Sequence, residues 1–131
     1  MPIWMFRTYV SPQGGEEVAQ WYDNQTPTVR AAFDQRLLTI SQMQPSEWRE
    51  PYTKQLEGEC DGLVEIRFKA DRVQHRPLGF YGPHRMEFTI ALIAREIGGR
   101  FDPKDACEKA LARKNDVLGD PVRFSRPIPV E

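Results

Sequence analysis

The sequence predicts an α+β fold in which a largely antiparallel sheet of about four strands carries two N-terminal helices on one face. A third, C-terminal helix is expected against an edge of the sheet or in the same layer. Strict alternation of apolar and polar residues over positions 63–69 predicts a strand, and the apolar run at 86–94 predicts a strand in the middle of the sheet. Two pairs of a polar cap followed by proline, at positions 26–27 and 102–103, predict helix starts.

The element around which the chain is organised is a predicted three-stranded meander at residues 63–94. Successive side chains of a strand point to opposite faces, so its first strand has one apolar and one charged face. The apolar face holds Val64, Ile66 and Phe68, and the charged face holds Glu65, Arg67 and Lys69. A second strand at 73–80 and a turn at 81–84 lead into the apolar third strand.

The N-terminal third predicts one strand and two helices. Residues 3–10 are rich in β-branched and aromatic side chains and predict a strand that joins the sheet as an outer member. A short helix is expected over 16–25, followed by a second helix of about four turns that ends at Pro45. Residues 46–61 are polar and irregular, and we interpret them as a connecting loop.

The C-terminal third predicts one helix and a tail. Two glycines at 98–99 break the chain, and the cap-plus-proline start at 102–103 opens a helix that runs to about residue 118. Three prolines follow within about ten residues, so the tail at 119–131 is expected to be extended and loosely held. We therefore predict a single domain over 1–131 with its core at about 3–118.

The composition is that of a globular protein. The chain has 131 residues, of which 40% are hydrophobic and 28% charged, and it contains no apolar run long enough to span a membrane. The N-terminus lacks the pattern of a secretory signal, which predicts a cytoplasmic location without membrane partners. Cys60 and Cys107 have no metal-ligand spacing, so free buried thiols are expected.

The charge is unevenly distributed along the chain. The overall net charge is −1, which gives no general attraction to nucleic acid. Residues 66–100 nevertheless contain seven arginines and lysines against three acidic residues, a local charge of +4, together with both histidines. This window can bind a polyanion on an otherwise acidic protein.

Three strings of residues, in this order and spacing, resemble the RelE/ParE superfamily of bacterial toxins and, within it, the HigB-like, phage-associated branch. The strings are the alternating strand at 63–68, the segment His75-Arg76-Pro77-Leu78-Gly79-Phe80-Tyr81, and the strand, basic turn, proline and alanine-rich helix that run from 88 to 113. The resemblance covers roughly residues 56–118. It implies a RelE-like fold, with an antiparallel sheet of about four strands, two N-terminal helices and a C-terminal helix.

The same resemblance implies the toxin component of a type II toxin-antitoxin system. Members of that superfamily include endoribonucleases that cut mRNA at the ribosome without metal or cofactor, and relatives that poison gyrase. The partners implied are a cognate antitoxin, typically of the helix-turn-helix type, and mRNA on the ribosome.

Metal-free RNA cleavage needs a base for the 2′-hydroxyl, cations for the phosphate and an acid for the departing 5′-oxygen. The meander offers each type of group, and alternatives remain open. The candidates for catalysis are Glu65 or His75 as base, Arg67 and Arg76 (with Lys69) as phosphate clamp, and His84 or Tyr81 as acid. Arg67 is the strongest candidate, because a guanidinium can hold two phosphate oxygens from a rigid strand.

Further residues are predicted to bind RNA around this set. These are Lys69, His75, Arg85 and Arg95, with Phe80 or Tyr81 available to stack on a base. The ordinary alternative is a solvated strand face with cross-strand charge pairs. On that alternative the protein is a non-catalytic or gyrase-directed binding protein of phage origin.

Overall fold

The protein folds around one mixed sheet of eight strands, described here for residues 2–130 from a computed structural model. The strands are β1 (Met5–Tyr9), β2 (Thr53–Gln55), β3 (Val64–Ile66), β4 (Phe68–Ala70), β5 (Val73–Tyr81), β6 (Glu87–Ile97), β7 (Arg100–Asp102) and β8 (Ser125–Ile128). The helices are α1 (Glu17–Asp23), α2 (Pro27–Ser41), α3 (Ala106–Gly119) and α4 (Pro121–Phe124), with 3-10 turns at Pro45–Glu47 and Gly58–Cys60. The main strand order is β2-β3-β5-β6-β1-β8, while β4 pairs with β5 and β7 pairs with β6.

The predicted meander is present. Strands β3 and β4 both pair antiparallel with β5, which pairs antiparallel with β6. Phe68 lies opposite His75, and the same register places Arg67 opposite Arg76. The predicted apolar face of the first strand is buried, and β6 lies in the middle of the sheet between β5 and β1.

The predicted RelE-like sheet of about four strands is wrong. The sheet has eight strands, and β1 is an inner strand that runs parallel to β6 and antiparallel to β8. Three of the additional strands, β2, β7 and β8, have three or four residues each, too few for a periodic pattern to show in the sequence. The tail is also not loosely held, because its β8 supplies an edge of the sheet.

The helices cover both faces of the sheet. Thr26 caps α2 by accepting a hydrogen bond from the Val29 N–H at 3.2 Å, with proline at the first helical position as predicted. Helices α1 and α2 pack with Phe88 and Ile90, whereas α3 packs with residues of the opposite face such as Leu78. The expected position of the C-terminal helix, at an edge or in the same layer, is therefore wrong. Since β6 is apolar on both sides, each side needs a cover.

The pairing of the two central strands, β5 and β6, contains a β-bulge. Leu78 pairs with Leu92 but Gly79 pairs with Ile90, so Ala91 is the extra residue of β6. A Cβ at position 79 would come within 2.1 Å of the Thr89 carbonyl oxygen, which explains the glycine there.

The two cysteines form a disulfide, so the expectation of free thiols is wrong. Cys60 lies in the Gly58–Cys60 turn and Cys107 in the first turn of α3, with their Cα atoms 5.2 Å apart. They meet because α3 packs on the face of the sheet that the turn also covers. Within residues 2–130 we find no helix with the length and apolar character needed to cross a membrane.

Candidate functional site

Arg67, Arg76 and Glu65 form a connected cluster on the sheet face that α3 covers in part. Arg67 Nη1 lies 2.9 Å and Arg76 Nε 3.5 Å from the same oxygen, Glu65 Oε2. The side chains of Glu65 and Arg76 are 5% and 3% exposed, while that of Arg67 is 28% exposed. One buried carboxylate thus holds a buried and a partly exposed arginine side by side.

Every nitrogen of the Arg76 guanidinium has a partner. Nε contacts Glu96 Oε1 at 3.3 Å, Nη1 donates to the His75 carbonyl at 3.0 Å and Nη2 donates to Gln74 Oε1 at 3.2 Å. A buried guanidinium needs such partners to offset the loss of its hydration. Arg76 is therefore an internal anchor, and Arg67 is the member of the pair that can reach a ligand.

Glu65 lies too deep to face a substrate. Burial raises the pKa of its carboxyl, although the neighbouring Arg67 and Arg76 guanidinium groups lower it. Only 4% of the residue is exposed, so its proton acceptor is not open to an RNA 2′-hydroxyl. The role that remains for Glu65 is to hold the side chains of Arg67 and Arg76 in position.

The exposed side of Arg67 contacts Glu50, which in turn contacts Lys54, and neither residue was predicted from the sequence. Glu50 Oε1 lies 3.6 Å from Arg67 Nη1, and Lys54 Nζ lies 3.8 Å from Glu50 Oε1. Both side chains are more than half exposed. Lys54 lies on β2 directly opposite Glu65, and this strand pairing places it in the cluster. The sequence does not predict that position, because a three-residue strand inside an apparently irregular loop shows no periodic pattern.

The backbone around Arg67 is held from two sides. Its N–H donates to the Tyr52 carbonyl at 2.9 Å, and its own carbonyl accepts a hydrogen bond from Arg36 of α2. The Arg36 guanidinium also lies over the Tyr52 ring, 5.1 Å from its centroid. Arg67 therefore projects from a rigid part of the sheet.

Tyr81 and His84 lie away from this cluster. Along β5, Tyr81 is five residues from Arg76, which at about 3.3 Å per residue is roughly 17 Å. Tyr81 also points to the opposite face, where its ring packs with Trp4 and its hydroxyl accepts a hydrogen bond from Gln55 Nε2 at 2.6 Å. Burial raises the pKa of Tyr81. His84 is exposed in the turn that follows Tyr81, so the structure does not bring these two candidate acids to Arg67.

His75 belongs to the core of the other face. Its ring stacks on Phe68 at 4.9 Å and meets Trp21 edge-on at 5.8 Å, and the residue is 4% exposed. Burial lowers the pKa of His75, which keeps the imidazole neutral. Its position gives no access to RNA.

The remaining predicted RNA-binding residues are dispersed. Lys69 is exposed on the same face as Arg67, two residues further along the strand. Arg85 is exposed in the turn between β5 and β6 at the far end. Arg95 pairs with Asp102 at 2.6 Å on an exposed surface. Only Lys69 therefore extends the cationic surface beside Arg67.

Comparison with known proteins adds no relative: no protein-family model, curated protein or solved structure matches the chain. The resemblance to RelE/ParE toxins therefore stays a prediction based on the three residue strings. Among residues 2–130 there is also no group of three or more histidine, cysteine, aspartate or glutamate side chains arranged to hold a metal ion.

Proposed function

We propose that this protein is an endoribonuclease of the toxin type whose site is centred on Arg67, with Glu50 and Lys54. The observation that carries the proposal is the position of Arg67: its partly exposed guanidinium is anchored by buried Glu65 and lies 3.6 Å from the surface carboxylate of Glu50, which in turn lies 3.8 Å from the Lys54 ammonium. The toxin-like strings in the sequence support the same assignment.

The three groups match the steps of RNA cleavage. Glu50 accepts the proton of the 2′-hydroxyl as its oxygen attacks phosphorus, and Arg67 stabilises the charge on the pentacoordinate phosphate. Lys54 donates a proton to the departing 5′-oxygen, which leaves a 2′,3′-cyclic phosphate and a free 5′-hydroxyl. Glu65 acts as a positioning residue, because it orients the Arg67 fork without touching RNA.

The test is expression in bacteria with total mRNA mapped for new 5′ ends. We expect growth arrest and cleavage with wild type, and a loss of at least about 10²-fold in cleavage for Arg67→Ala and for Lys54→Gln. Arg126→Ala is the matched control, since Arg126 also lies on a strand and pairs with a surface carboxylate, at 3.5 Å, but on β8. Unchanged cleavage by folded Arg67→Ala would remove the proposed site.

The charge of this site also predicts the kind of protein that would inhibit it. An antitoxin that inhibits the protein would cover Arg67 with an acidic side chain and make charge-assisted contacts there. We expect co-expression with such an antitoxin to restore growth, and Arg67→Ala to weaken the complex. Dependence on the ribosome is tested by comparing cleavage of free and translated mRNA.

A second candidate function is binding without catalysis, including binding to gyrase. It is favoured by the separation of Tyr81 and His84 from the arginine cluster and by the burial of Glu65. This candidate predicts growth arrest with intact mRNA, and recovery of gyrase with the wild-type protein in a pull-down. Cleavage that disappears in Arg67→Ala would exclude it.

A further inference from the structure

A cleft of about 320 Å³ lies directly beside the Cys60–Cys107 disulfide. Glu59, Arg100, Phe101 and Lys104 line it together with the two cysteines. Both cysteines are partly exposed and belong to the lining of the cleft. The cleft lies at the lower end of the size range of small-molecule sites.

The cations of this cleft are available to a ligand. Arg100 and Lys104 are both exposed. The acidic neighbours in the same segment are paired elsewhere, Asp102 with Arg95 at 2.6 Å and Asp105 with Lys109 at 3.8 Å. The lining of the cleft therefore offers two positive charges beside the disulfide and one carboxylate, that of Glu59.

The two sulfur atoms differ as leaving groups. Cys107 is the second residue of the 14-residue helix α3, where the helix dipole stabilises a thiolate. Cys60 lies in the short turn between β2 and β3, without that stabilisation. A thiol that attacks Cys60 Sγ therefore displaces the better leaving group, the Cys107 thiolate.

We propose that this cleft is a thiol–disulfide exchange site for small thiols that carry carboxylates. The carboxylates pair with Arg100 and Lys104, and the thiolate attacks Cys60 Sγ. A bond forms between the two sulfurs, the Cys60–Cys107 bond breaks, and Cys107 leaves as thiolate and takes up a proton. A second thiol then attacks the mixed disulfide, so two small thiols are oxidised to their disulfide and both cysteines are reduced.

Opening of the disulfide would release the connection between β2, which carries Lys54, and β3, which precedes Arg67, from α3. The disulfide joins the β2–β3 connection to α3. Within residues 2–130 we find one other polar contact between these two segments, the hydrogen bond from Lys114 Nζ to the Gly62 carbonyl at 3.1 Å. The exchange chemistry itself does not depend on the proposed nuclease function.

The experiment measures the rate of disulfide opening in the folded, full-length protein with glutathione and, separately, with the uncharged thiol 2-mercaptoethanol. Acid quenching and peptide mass mapping locate the mixed disulfide, which we expect on Cys60. Because each exposed ion pair contributes roughly 0.5 kcal/mol, Arg100→Gln with Lys104→Gln should lower the glutathione rate about fivefold and leave the 2-mercaptoethanol rate unchanged.

Two matched measurements complete the design. The double variant Arg123→Gln and Arg126→Gln removes two exposed cations outside the cleft lining and should leave both rates unchanged. About 1 M salt should remove the preference for glutathione. Opening only after unfolding in urea, equal effects of the cleft variants on both thiols, or an adduct on Cys107 would each overturn the proposal.

Discussion

The Arg76 guanidinium contacts two carboxylates that differ in burial, and this difference gives a sharp prediction. Glu96 Oε1 lies 3.3 Å and Glu65 Oε2 3.5 Å from the same Nε, but the Glu96 side chain is 34% exposed and that of Glu65 is 5% exposed. If distance decided the energetics, Glu65→Gln and Glu96→Gln would lower the free energy of unfolding by similar amounts. If burial decides, Glu65→Gln is far more destabilising.

The expected magnitudes follow from burial. Removing the buried partner of an ion pair costs about 3–5 kcal/mol, because Arg76 then keeps only the partly exposed, water-screened Glu96 as a counter-charge. Water screens Glu96, so Glu96→Gln should cost at most about 1 kcal/mol. At a urea slope of about 2 kcal/mol per M, Glu65→Gln lowers the unfolding midpoint by about 2 M and Glu96→Gln by less than about 0.5 M.

Urea unfolding followed by circular dichroism, with all variants at the same pH, measures both effects. The double variant Glu65→Met with Arg76→Met is the third arm, and it should recover most of the loss because no buried charge remains unpaired. Equal midpoint shifts for Glu65→Gln and Glu96→Gln, or a double variant less stable than Glu65→Gln, would refute the reasoning.

Two further predictions concern stability. Because burial lowers the pKa of His75, the folded state binds fewer protons than the unfolded chain, so stability is present above about pH 6.5 and falls as the pH drops below it. His75→Phe should flatten the urea midpoint between pH 7.5 and 5, and an unchanged slope would contradict the assignment. Separately, the disulfide spans 47 residues, for which loop entropy predicts about 4 kcal/mol; the double variant Cys60→Ser and Cys107→Ser should unfold correspondingly earlier in urea, and a midpoint within about 0.5 M of wild type would contradict it.

Local patterns explain which predictions were confirmed. The alternation at 64–68 assigns residues to the two faces of the sheet, because strand periodicity depends only on neighbouring residues. Val64 and Ile66 are indeed buried on the face of the sheet that points away from the Arg67 side chain. The Thr26 cap of α2 is confirmed for the same reason, since capping is made within one turn.

The site could be predicted only in part. The sequence pattern predicts Arg67, Arg76 and Glu65, which share one face of the short meander. Glu50 and Lys54 could not be predicted, because their position beside Arg67 depends on a three-residue strand that pairs with β3. The same pattern groups Tyr81 and His84 with Arg67, although the length of β5 separates them, because residue types carry no information on distance.

By itself, the sequence determined the meander, the buried strand β6, the capped helix α2 and the charged face that carries Arg67. The tertiary structure alone decided the eight-stranded mixed sheet, the position of α3 on the second face, the Cys60–Cys107 disulfide and the neighbours of Arg67. The physical reason is the range of the interactions. Periodicity and capping act between residues a few positions apart, whereas pairing of β8 with β1 and of Cys60 with Cys107 depends on how distant segments return to one another.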